Sequence, residues 1–149
     1  MRITIKKPSL LLMFSGGLDS LAALHLLLTT QPEPIHVHHV HLSNSENRTE
    51  AERNAVDAVR AYYEQAGAPL DYSESYMQYP VVNGSFFYDT DVTHFMSAYI
   101  AARAPITSVA FGYLDIDRLN MQRLPTANVL FEAMTPSIPR IYPIAGWSK

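Results

Sequence analysis

Leu10-Leu11-Leu12-Met13-Phe14-Ser15-Gly16-Gly17-Leu18-Asp19-Ser20-Leu21-Ala22-Ala23-Leu24 is the stretch that decides the fold. Its first five apolar residues read as a buried strand, Ser-Gly-Gly as a short loop, and the apolar run that continues to Leu28 as a helix. A strand that turns through glycines into a helix gathers backbone N–H groups at the positive end of that helix, where they can hold phosphate oxygens. Gly16 and Gly17 let the main chain turn sharply and approach a ligand with no Cβ in between. Ser15 and Ser20 add hydroxyl donors, and Asp19 can orient a magnesium ion or cap the helix. The plainer alternative is a Gly-Gly turn capped by Asp or Ser. Neither Gly-x-x-x-x-Gly-Lys-Ser/Thr nor Gly-x-Gly-x-x-Gly occurs anywhere, so the loop is neither the Walker type nor the dinucleotide fingerprint.

Working outward, residues 9–14 are expected to form the first strand and residues 18–30 a helix that is apolar nearly all round, hence packed on both sides. Gln31-Pro32-Glu33-Pro34 ends it. Ile35 to Leu42 read as a second strand. Asn47-Arg48-Thr49-Glu50 resembles a capping box, and Ala51, Ala55, Val59, Tyr62 and Ala66 follow at helical spacing until Gly67. A third strand runs from Pro69 to about Met77, then a loop rich in aromatics over 78–89. A third helix starts at Thr90 or Asp91 with Val92, Phe95, Met96, Tyr99 and Ile100 on one face. Ser108 to Phe111 give a fourth strand, 113–125 an irregular polar stretch, Ala127 to Met134 a short helix, and Ile141 to Ile144 a fifth strand. Alternation of this kind predicts an α/β fold: a doubly wound, mostly parallel five-stranded sheet with helices on both faces, in one domain over 1–149.

Composition narrows the function classes. A hydrophobic content of 48% and a charged content of 17% describe an ordinary globular chain. The net charge of −3 argues against a general nucleic-acid surface. The absence of cysteine excludes disulfides, thiolate nucleophiles and cysteine-bound zinc. No run of 18 apolar residues exists and no signal-peptide core follows Met1-Arg2-Ile3, which makes a cytoplasmic place the default expectation.

Ser-Gly-Gly-x-Asp-Ser after a first strand resembles the PP-loop of the ATP pyrophosphatases, also called adenine nucleotide alpha hydrolases. Val109-Ala110-Phe111-Gly112-Tyr113-Leu114-Asp115 and Ile141-Tyr142-Pro143-Ile144-Ala145-Gly146-Trp147-Ser148-Lys149 resemble the fourth-strand and Pro-Leu-x-x-x-x-Lys segments of 7-cyano-7-deazaguanine synthases, enzymes of queuosine biosynthesis. The resemblance implies ATP bound at the carboxyl ends of the strands with Mg2+. Ser15, Gly16, Gly17, Leu18, Asp19 and Ser20 would grip the pyrophosphate, while Val40-His41-Leu42 meets the base. It also implies ligase chemistry in which a carboxylate acceptor attacks the α-phosphorus, pyrophosphate leaves, and a nitrogen nucleophile displaces AMP. The chain departs from those synthases in lacking their four zinc cysteines and in reading Tyr88-Asp89-Thr90-Asp91-Val92-Thr93 where they have Pro-Gly-Arg-Asn. Another adenylating amidotransferase, a tRNA-modifying relative, and a non-catalytic ATP or AMP module are the alternative readings. It ends where the family continues, which favours a pocket completed in a homodimer.

Several other residues stand as candidates. Gly112 permits close approach of ribose or phosphate at the end of the fourth strand. Asp115 and Asp117 can bind magnesium or a substrate amine, or sit in a solvated turn. Arg118 and Arg123 can neutralise a leaving pyrophosphate, and Lys149 matches the family lysine in type and place. Arg48 and Arg53 can reach a phosphate or pair with acidic neighbours on their own helix. His36 and His38 share one face of the second strand, His39 and His41 the other, which rules out a four-ligand site and favours hydrogen-bonded histidines. Tyr76, Tyr79, Phe86, Phe87 and Tyr88 can stack on a flat heterocycle, line an oligomer contact or fold into the core.

Overall fold

Leu10, Leu11 and Leu12 are completely buried, because the strand that carries them lies at the centre of the sheet with helices on both sides. A computed structural model describes residues 3–44, 46–79, 88–115 and 124–147. Its elements are β1 (Ser9–Met13), α1 (Leu18–Thr30), β2 (Ile35–Ser43), α2 (Thr49–Gln65), β3 (Asp71–Gln78), α3 (Asp89–Ala101), β4 (Ile106–Phe111), α4 (Leu124–Met134) and β5 (Arg140–Ile141). The strand order is β3-β2-β1-β4-β5, and every pairing is parallel. The expected doubly wound α/β sheet is therefore present.

Strand alternation divides the core into two layers. Leu10, Leu12, Phe14 and Val37 pack under Ala23, Leu24 and Leu27 of α1 and Val56 of α2. Leu11, Met13, Val40, Val109 and Phe111 pack under Val92, Met96 and Ile100 of α3 and Phe131 of α4. The chain builds β1, β2 and β3 outward in one direction, then returns to place β4 on the other side of β1. The carboxyl ends of β1 and β4 thus flank the topological switch point, where open α/β sheets bind ligands.

Several boundaries differ from expectation for physical reasons. The capping box does not form: Arg48 occupies the cap position with helical φ/ψ, Asn47 turns left-handed at φ 53°, and the Thr49 hydroxyl donates to the Leu42 carbonyl. The buried face of α2 centres on Val56, with Val59 and Tyr63 beside it, while Tyr62 is 67% exposed. Helix α1 packs on one side only, since Leu18 is 84% exposed and Leu28 is exposed as well. Strand β5 ends at Ile141, and the chain then turns through Pro143 with the Ala145 amide donating to Tyr142 and the Trp147 amide to Ile144. Strand β4 begins at Ile106 and α4 at Leu124, both earlier than the hydrophobic pattern implies. The loop residues Phe86 and Phe87 lie outside the described residues.

Two buried histidines make the fold pH-sensitive. Burial holds the His94 ring well below the ordinary value of 6.5, at about 4, and the His38 ring at about 3. Between those values and 6.5 the unfolded chain binds protons that the folded one refuses, so stability falls as pH drops through this window. Each histidine contributes a slope of about 1.4 kcal/mol per pH unit at most. Urea unfolding at pH 7.5 and pH 5.0 is expected to show the loss, and His94→Gln is expected to flatten the slope.

Candidate functional site

The loop is braced by its own serines. The Gly17 amide donates to Ser15 Oγ at 3.3 Å, the Ser15 hydroxyl to Ser20 Oγ at 3.2 Å, and the Ser20 hydroxyl to the Gly17 carbonyl at 2.9 Å. Gly17 is the cap residue of α1, in extended conformation, and no side chain caps the helix. Asp19 therefore lies inside the first turn, and the cap position itself is filled by a residue with no side chain. Gly16 has φ +84°, and a Cβ there would stand 3.1 Å from both the Glu52 carbonyl oxygen and Val56 Cγ2. This glycine satisfies a left-handed turn and a close approach to α2 together.

Gly112 answers to a neighbour within the chain. A Cβ at this position would lie 2.7 Å from Ser20 Cα, 2.9 Å from the Asp19 carbonyl oxygen and 2.9 Å from the Ser20 amide nitrogen. The end of β4 therefore carries the first turn of α1 directly on its backbone. The close approach that a glycine permits here is to the helix start.

A hollow of about 230 Å³ opens at the switch point. Met13, Phe14, Ser15 and Ser20 form its β1 and loop side, and Phe111, Gly112 and Tyr113 its β4 side. His38, Val40 and Leu42 line it from β2. The hollow thus brings together Ser15, Ser20, Val40 and Gly112 of the sequence-derived set, along with Arg48. Gly16 and Gly17 shape the loop behind Ser15, while Leu18 projects outward. Asp19 is half-buried on the first turn and does not line the hollow. The His41 ring sits on the opposite sheet face, stacked on Tyr76 at 4.3 Å with its Nε2 3.1 Å from Glu74, so it does not reach the hollow. Asp115 is exposed, and its amide donates to the Ala145 carbonyl. Asp117, Arg118, Arg123 and Lys149 lie outside the described residues.

The opposite wall holds groups that the sequence did not single out. Glu52 on α2 and Asp89, Thr90 and Thr93 on α3 face the hollow. Arg48 spans the gap between the two helix starts, 2.7 Å from Glu46, 3.3 Å from Glu52 and in contact with Asp89. Asp89 also accepts from the Tyr79 hydroxyl and from Asn44 Nδ2, the latter at 3.0 Å. Glu52 has its carboxyl pushed up, chiefly by burial and further by Asp89 and Glu46, against the pull of Arg48. Asp89 looked in sequence like ordinary acidic dressing of a helix start. Its partner Arg48 is 41 residues away, a pairing that local spacing does not reveal. On the β4 side, Phe111 stacks on His94 with ring centres 4.2 Å apart, and on Tyr113 at 5.6 Å, giving the hollow one flat apolar wall.

No family model matches the sequence, and no curated protein matches it. Solved structures do match the fold. The U34-tRNA thiolase NcsA from Methanococcus maripaludis, solved with its [4Fe-4S] cluster, superposes with a TM-score of 0.61 at 16% identity. The match covers 92% of this chain and 52% of that one, so this chain spans about half the thiolase. A predicted subunit of tRNA methyltransferase from Methanocaldococcus jannaschii superposes with a TM-score of 0.52 at 14% identity, covering 95% of this chain and 70% of that one. This chain shares their Rossmann-like fold. With no cysteine in its 149 residues, it holds no thiolate ligand for an iron–sulfur cluster. No described helix is long and apolar enough to cross a membrane.

Gly112→Ala and Gly16→Ala test the two close approaches. Overlap at Gly112 is with backbone that has no room to withdraw, so a loss of about 1–3 kcal/mol is expected. At Gly16 the left-handed φ adds about 1–2 kcal/mol of strain. Gly146→Ala, where a Cβ meets nothing within 4 Å, is the control. Urea midpoints of the three variants check the ranking.

Proposed function

We propose that the chain binds ATP with its phosphate tail on the amino end of α1 and activates an acceptor by adenylation, releasing pyrophosphate. The observation that carries this reading is the placement of the first turn of a 13-residue helix, opened by a glycine cap and held against the switch-point hollow by Gly112, beside the Ser15 and Ser20 hydroxyls. Helix-start amides with aligned dipoles and two neutral donors suit phosphate oxygens. The flat wall of Phe111 and Tyr113 and the apolar Val40 and Leu42 suit a base or a planar acceptor. A magnesium ion, for which Asp19 is the candidate oxygen ligand, would supply positive charge to the leaving pyrophosphate.

In this reading the chain contributes position and charge rather than a nucleophile. The α1 amides stabilise the departing phosphates. Arg48 is the cation among the described residues lining the hollow, and Arg118, Arg123 and Lys149 are further candidates. The carboxylate acceptor of 7-cyano-7-deazaguanine synthases is one candidate substrate class. A tRNA base is the other, supported by the two fold neighbours, which are named as a tRNA thiolase and a tRNA methyltransferase subunit.

Calorimetry with ATP and with AMP, each with and without magnesium, tests the binding. ATP is expected to bind more tightly than AMP, by about tenfold or more for the added phosphate contacts. Ser20→Ala is expected to reduce that preference. Pyrophosphate release on adding a deazapurine carboxylate or unmodified tRNA then separates an adenylating enzyme from a nucleotide-binding module. Equal affinity for ATP and AMP would contradict the placement of the phosphate tail.

A further inference from the structure

Strand β2 outruns β1: Met13, the last residue of β1, pairs with His38 in the middle of β2. His38 therefore lies at the level where β1 stops and the hollow begins, and it lines the hollow floor. From this ring a string of polar groups follows the β2–β3 seam. Ser75 Oγ lies 3.0 Å from His38 Nε2, and Ser73 Oγ lies 2.7 Å from His38 Nδ1. The same Ser73 Oγ lies 2.7 Å from His36 Nε2. Asp71 Oδ2 lies 3.1 Å from His36 Nδ1 as an ion-pair neighbour without an aligned hydrogen bond, and it is the link that the relay must close. Both rings are buried, whereas the side chain of Asp71, the first residue of the edge strand, is 62% exposed.

The donor and acceptor roles along this string agree with one another. An ionised Asp71 can only accept, so His36 carries its proton on Nδ1 and a lone pair on Nε2. Ser73 then donates to His36 Nε2 and accepts from His38 Nδ1–H. His38 Nε2 is left as a lone pair that accepts from the Ser75 hydroxyl. No group is asked to play two incompatible roles, although this polarity is assigned from the network.

We propose that Ser75, His38, Ser73, His36 and Asp71 form a proton relay between the floor of the hollow and solvent, with His38 receiving the hollow's proton through Ser75. An N–H or O–H bond in the hollow breaks and leaves its electron pair on that atom. That proton bonds to Ser75 Oγ as the Ser75 hydroxyl gives its own proton to His38 Nε2, which leaves the new Ser75 proton turned toward the hollow. The Nδ1 proton of His38 passes to Ser73, the Ser73 proton to His36 Nε2, and the Nδ1 proton of His36 to the Asp71 carboxylate, which releases it to water. Both rings end neutral in the opposite tautomer. The reversed string is then set to return one proton to the hollow, for a leaving group, which restores the starting polarity.

Passing the proton on avoids a charge that the core resists. Burial, reinforced by His36 and His39, keeps the His38 ring from holding a second proton, with His41 adding to the resistance and Glu74 on β3 opposing it. Arg48 and Glu52 on α2 and Asp89 on α3 are the charged groups facing it across the hollow. A use for the relay rests on the adenylation reading, in which an attacking amine must shed a proton. The relay itself does not depend on that reading.

The test uses the full chain with 15N-labelled histidine rings. Ring NMR at pH 7 is expected to find the Nδ1 of both His36 and His38 carrying a proton, and His38 neutral. Exchange of the His38 ring proton with water is expected to slow about tenfold or more in Ser73→Ala and in Asp71→Asn, since each cuts the path to solvent. A histidine held only for structure would exchange at the same rate or faster once a neighbour is lost. Unchanged or faster exchange in Asp71→Asn, a surface change that spares the core, would overturn the relay, as would a His38 proton on Nε2. Calorimetry with ATP on the parent chain is run alongside: no binding there would defeat the nucleotide reading and leave the exchange result standing by itself.

Discussion

The contact between the end of β4 and the first turn of α1 governs the rest of the structure. At Gly112 there is no space for one carbon atom: Ser20 Cα and the Asp19 carbonyl oxygen already occupy the position a Cβ would take. That contact seats the amino end of α1 over the switch point between β1 and β4. Gly16 does the corresponding work on the other side, where its left-handed turn brings the loop against the backbone of α2. Two missing side chains thus fix one helix start between two elements, and the serine hydrogen bonds hold the loop in that setting. The helix amides point to one place because the backbone around them has nowhere else to go.

The electrostatics of the hollow follow from what surrounds that helix start. Its described lining carries one arginine against two carboxylates, and Arg48 is already engaged by Glu46, Glu52 and Asp89. Side-chain cations are therefore a weak source of attraction for a polyanion in this site. In the proposed mode of binding, the helix amides and a divalent ion carry that attraction, and Arg48 contributes by exchanging carboxylate partners for phosphate. Its ion pairs are half-exposed, so the exchange costs little.

Much of this was legible in the sequence. Apolar strands, breaker residues and the Ser-Gly-Gly turn are local signals, and the strand and helix order they imply is the order observed. The alternation of His36 and His38 against His39 and His41 likewise placed the rings on the correct faces of β2. What escaped was long-range. The capping box expected at Asn47 and Glu50 does not form because Asn47 turns left-handed, next to a Thr49 whose hydroxyl donates to the Leu42 carbonyl. Arg48 lies at the hollow because Asp89, on a helix two elements later, holds it there. The apolar positions of α2 were read about one residue out of phase, since Tyr62 resembles a core residue by type and stands in solvent. His41, adjacent to a lining residue in sequence, turns to the other face by the two-residue period of the strand. The Arg48–Asp89 pairing, 41 residues apart, lies beyond the reach of spacing rules.

The measurement that bears most directly on the central claim is a crystal structure of the chain with magnesium and a non-hydrolysable ATP analogue. The account predicts phosphate oxygens within hydrogen-bond distance of the backbone amides between Gly16 and Ser20, with the base or ribose against Val40, Phe111 or Gly112. A hollow that stays empty at saturating nucleotide, or a nucleotide seated away from the first turn of α1, would contradict it.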